Sequence, residues 1–75
     1  MMTAAQKTMM REFVQDYYAL METYWTPTPS SAYWDRFTDD ALKLISKYQT
    51  SDATLNGFIS NIVAAFLNSR EEMLA

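Results

Sequence analysis

Neither cysteine nor histidine occurs in the chain, and glycine occurs once. These gaps exclude whole classes of chemistry. Without Cys or His there is no disulfide, no thiolate or imidazole zinc site, and no nucleophile activated by a histidine. With Gly57 alone, a glycine-rich loop that cradles phosphate cannot be built, and the G-x-S-x-G and S-x-x-K patterns are missing too. No cofactor is expected. Positive charge is also scarce: six Lys plus Arg face nine Asp plus Glu, a net charge of -3. That is the wrong sign for an affinity built on phosphates or anionic lipids, so nucleic acid and membrane are disfavoured as partners. The longest apolar stretch, Phe58 to Leu67, is broken by Ser60 and Asn61 and is about half of the roughly 20 residues that a membrane-spanning helix needs. Residues Met1 to Arg11 lack the apolar segment of a secretory signal, which makes a cytoplasmic location the expectation.

What remains is apolar and aromatic. Of the 75 residues, 49% are hydrophobic and 15% aromatic, far from the balance of a disordered chain. A chain this short builds one core at most and has no covalent staple, so packing or self-association must hold it. One domain over 1–75 is expected.

Two polar breaks, Thr26-Pro27-Thr28-Pro29-Ser30-Ser31 and Gln49-Thr50-Ser51-Asp52, leave three segments. Each Pro removes a backbone donor and disfavours helix in the residue before it, so the first helix should stop near Trp25. Ser30 or Ser31 can cap the second helix, and Thr50, Ser51 or Asp52 the third. The expected helices lie near 3–25, 31–48 and 52–73. No internal repeat stands out.

At about 100° per residue the first helix gathers Met10, Phe13, Val14, Tyr17, Leu20, Met21 and Tyr24 on one face, with Met9 and Tyr18 at its edges. The second gathers Trp34, Phe37, Ala41, Leu44 and Tyr48, flanked by Tyr33 and Ile45. The third is the most apolar, with Leu55, Phe58, Ile59, Ile62, Val63, Phe66, Leu67, Met73 and Leu74 over about half its circumference, and is expected to be the central packing element. Gly57, one turn inside it, either permits a close helix approach or is simply exposed. Loops this short join antiparallel neighbours, so the predicted fold is all-α, an up-down-up three-helix bundle.

Carboxylates are the remaining candidates for acid–base chemistry. Two groupings qualify, Glu12 with Asp16 and Asp35 with Asp39 and Asp40; Glu12/Asp16 and Asp35/Asp39, four residues apart, share a polar helix face, which is expected to supply neither the burial nor the partner that a catalytic group needs. Asp39 to Lys43 and Arg36 to Asp40 are spaced for surface ion pairs. A helix-turn-helix reading founders on the third helix, which opens Asp52-Ala53-Thr54-Leu55-Asn56-Gly57 and carries Arg70 as its one basic residue; Asn56 and Asn61 could read a base edge with little to anchor phosphates.

The apolar residues at or beyond the stripe edges are the candidate contacts: Tyr18, Trp25, Leu42, Leu67 and Leu74, with the Met73-Leu74-Ala75 end either docking on a second copy or closing the bundle. The run Tyr33-Trp34, Leu42 to Tyr48, and Phe58-Ile59 through Ala65-Phe66-Leu67 resembles small helical proteins encoded on phages and mobile elements of Gram-positive bacteria. That resemblance covers the last two helices and implies a bacterial or phage accessory protein, with no activity or site residues attached. The expected function is a non-enzymatic protein-interaction module, which self-associates or docks on another protein through an apolar, aromatic-rich face. The alternative is a small dimeric nucleic-acid-associated regulator using Lys7, Arg11, Lys43 and Lys47, and a carboxylate enzyme comes third.

Overall fold

The computed structural model describes residues 1–74. Three helices, α1 (Ala4–Tyr24), α2 (Ser31–Lys47) and α3 (Ala53–Leu74), form the predicted up-down-up bundle, with no strand among the described residues. Among the described residues no helix is long and apolar enough to cross a membrane.

Local chemistry sets the helix ends. Thr3 caps α1 through a reciprocal box: its hydroxyl accepts from the Gln6 N–H at 3.1 Å while Gln6 Oε1 accepts from the Thr3 N–H at 2.9 Å. The helix then stops at Trp25, ahead of Pro27 and Pro29. Ser30 occupies the N-cap position of α2 without a side-chain bond. At α3 the cap is Asp52, whose Oδ1 accepts from the N–H groups of Thr54 and Leu55 at 3.0 and 3.3 Å. The Asn56 side chain fastens the turn before it, accepting from the Thr50 N–H and donating to the Thr50 carbonyl, each at 2.7 Å.

The core consists of Phe13, Leu20, Tyr24, Phe37, Ala41, Leu44, Tyr48, Ile59, Val63 and Phe66. All ten come from the predicted stripes. The centre of the bundle is α2 rather than α3, because α2 packs closely against both other helices. Total apolarity misled the expectation: part of the α3 stripe faces outward, with Phe58 and Met73 more than half exposed. α1 and α3 meet mainly through long side chains, as where the Tyr17 hydroxyl reaches the Ile62 carbonyl at 3.2 Å and Trp25 stacks on Phe66 at 6.2 Å. Val14, short and about 90° from the centre of the buried arc of α1, is consequently left 56% exposed.

The contact between α1 and α2 reveals a repeat that simple inspection of the chain does not. Residues 13–24 and 37–48 both read F-x-x-D-x-x-x-L-x-x-x-Y: Phe13, Asp16, Leu20 and Tyr24 match Phe37, Asp40, Leu44 and Tyr48 at a constant offset. The two copies run antiparallel and clasp each other. The Tyr24 hydroxyl donates to Asp40 and the Tyr48 hydroxyl donates to Asp16. Phe37 stacks on Tyr24 and Phe13 meets Tyr48 edge-on, while buried Leu20 and Leu44 fill the middle.

Gly57 permits no close approach, since a Cβ built on it meets nothing within 4 Å. Gly57→Ala is therefore expected to stabilise the fold by about 0.5–1 kcal/mol through helix propensity alone. A thermal melt should show a rise of several degrees in Tm. An unchanged or lower Tm would mean that the backbone needs this glycine.

Candidate docking face

Beyond its buried arc, α1 carries a second apolar strip. Met10, Val14, Tyr18, Met21 and Trp25 follow one another at steps of four, four, three and four residues, which holds them within an arc of about 80°. Met10 and Met21 lean onto the core, whereas Tyr18 and Trp25 are 60% and 57% exposed. Two hollows open along this strip. One, about 530 Å³, is lined by Tyr18, Met21, Glu22 and Trp25. The other, about 470 Å³, is lined by Met2, Lys7, Met10, Arg11, Val14 and Gln15.

Trp25 is exposed yet held in place. Arg70 lies over its ring at 4.6 Å and over Phe66 at 5.2 Å, and Arg70 Nη1 donates to the Trp25 carbonyl at 2.8 Å. A cation at the carbonyl end of α1 also complements the helix dipole. The indole is thus held in one orientation although more than half exposed.

Of the five contacts expected from sequence, Tyr18 and Trp25 come together in one hollow. Leu42 stands exposed on the outer side of α2, and Leu67 packs at the edge of the core. Leu74 is exposed at the end of α3, and Ala75 lies outside the described residues. Val14 was missed as a member of the outer strip because sequence reasoning placed it on the buried face, whereas Met10 and Met21, placed there too, do pack against the core. The four-residue step from Val14 to Tyr18 was the available signal.

The carboxylates are arranged differently from a uniform solvated face. Asp16, part-buried, accepts from Lys47 Nζ at 2.7 Å as well as from Tyr48, and these two bonds hold it below the ordinary carboxylate range, Lys47 being the larger cause. Asp40 takes the Tyr24 hydroxyl, and the anticipated Arg36–Asp40 ion pair is absent among the described residues. Asp39 and Lys43 do pair, at 2.9 Å on the surface. Asp16 and Asp40 share a shallow groove of about 260 Å³ with Leu20, Tyr24 and Leu44, whereas Glu12, Asp35 and Asp39 stand exposed. Within that groove both carboxylates serve as acceptors for tyrosine hydroxyls. Asn56, a candidate base reader from sequence, is committed to the turn at Thr50.

No protein family, curated protein or solved structure matches the chain.

Proposed function

We propose that the protein is a non-enzymatic interaction module whose docking surface is the outer strip of α1. One observation carries this reading. Val14 and Tyr18 form a mostly exposed apolar strip beside a core that closes without them, and Trp25, more than half exposed although it rests on Phe66, continues it; such a patch on a small domain marks an interface. An oriented tryptophan and a tyrosine are also the residue types that dominate binding energy at interfaces. The basic residues give less support to a nucleic-acid role: Lys43, Lys47 and Arg70 are engaged by Asp39, Asp16 and the Trp25 carbonyl.

The reading requires that the strip be dispensable for folding. Val14→Lys combined with Tyr18→Lys should change unfolding stability by no more than about 0.5 kcal/mol per site, as for surface positions generally. Urea denaturation at low micromolar protein checks this. A loss of 2 kcal/mol or more would assign the strip to the core and remove the docking face.

A further inference from the structure

We propose that the occupant of this face is a second copy of the chain, with α1 lying antiparallel on α1 about a two-fold axis beside Tyr17 and Tyr18. This inference rests on the reading of the strip as a docking surface and specifies its partner. The strip is self-complementary. The strip is about 22 Å long at 1.5 Å per residue, and turning it end for end about that midpoint sets Met10 opposite Trp25 and Val14 opposite Met21, with Tyr18 beside the axis. Every position of the strip then meets an apolar position, as an isologous interface demands.

Charge favours the same arrangement. Of the two hollows, one carries Arg11 and Lys7 at its edge and the other carries Glu22. Antiparallel pairing brings each hollow onto its opposite number, so Arg11 of each copy lies within about half a turn of Glu22 on the other. A parallel two-fold would turn each flank of the strip to the opposite side of the seam, where Arg11 and Glu22 do not meet. Among the described residues neither Arg11 nor Glu22 forms an ion pair within its own chain, so both are available for this exchange. Complementary rim charges of this kind fix register and exclude other orientations more than they add affinity.

One helix-wide strip of this length buries less than the roughly 1,200 Å² of a standard interface. The dimer is therefore weak and concentration-dependent, in the micromolar range.

Sedimentation equilibrium of the whole chain from about 1 µM to about 1 mM reads this directly. A monomer–dimer equilibrium is expected. Arg11→Glu alone and Glu22→Arg alone should each weaken it about tenfold, two symmetric contacts being turned repulsive in each case. The two substitutions together should restore most of the loss, and both sites are exposed, so the fold is not at stake. A chain that stays monomeric over the whole range overturns the second copy as occupant, as does a dimer indifferent to Val14→Lys with Tyr18→Lys or a double exchange that fails to rescue. The docking reading itself falls only if that lysine pair destabilises the isolated monomer.

Discussion

Phe37→Ala is expected to cost about 3–5 kcal/mol of folding stability. Phe37 has no exposed surface and stands at the centre of an aromatic cluster: Tyr24 stacks on it at 4.5 Å, Trp34 lies at 6.0 Å, Tyr33 at 5.8 Å and Phe66 at 5.4 Å. Those rings come from all three helices, so the substitution opens a void where the helices converge. Truncating a buried phenylalanine costs about 3–5 kcal/mol. A domain of this length has a total stability of about 4–11 kcal/mol. The loss consumes most of the lower end of that range. Far-UV circular dichroism during urea titration gives the result, with Leu42→Ala as the comparison. Leu42 is exposed and its truncation should shift stability by no more than about 0.5 kcal/mol. Equal effects at the two sites would mean that Phe37 is not the hub.

Raising the pH should unfold the protein between about pH 10 and 12. Burial raises the hydroxyl pKa of Tyr17, Tyr24, Tyr33 and Tyr48, and Tyr24 is pushed up to about 12 by burial first and then by its bond to Asp40. Tyrosine in the unfolded chain ionises near 10. A folded pKa above the unfolded one means that the fold holds the proton more tightly, so this stability is complete below pH 10 and disappears as the pH climbs through 12. For Tyr24 alone the two-unit displacement corresponds to about 3 kcal/mol. A phenolate at Tyr24 would be a buried charge, and it would also face the Asp40 carboxylate with no proton between them. Tyrosinate absorbance followed alongside circular dichroism should show ionisation and loss of helix coinciding. Tyr24→Phe should lower stability at neutral pH by about 1 kcal/mol and flatten the alkaline decline. An unaltered decline in that variant would remove Tyr24 as the responsible group.

Helix number, helix limits and the ten core residues were legible because one-sided burial writes a period of about 3.6 residues into the chain, and the prolines and Asp52 mark where it stops. The relation between helices was not legible. α3 carries the most apolar residues, yet α2 is central, because packing depends on which faces meet and not on how many apolar residues a helix owns. Val14 went to the wrong face since a strip about 90° from the core centre lies at the resolving limit of helical arithmetic. Asp16 and Asp40 read as polar surface because nothing along the chain announces that a tyrosine from the other helix will end beside each. The repeat that links them preserves only four of twelve positions. The partners of Arg70 and Asn56 were hidden for the same reason, being set by three-dimensional placement.

The doubled F-x-x-D-x-x-x-L-x-x-x-Y pattern also constrains how the first two helices find each other. If α2 slides along α1 by one turn, Asp16 comes opposite Leu44 and Leu20 opposite Asp40, so both carboxylates lose their hydroxyls in a single step and press against leucine. Polar groups stranded against apolar ones cost about 1–3 kcal/mol each, and this slip strands two. The two tyrosines that seal α1 against α2 therefore also disfavour this misaligned pairing.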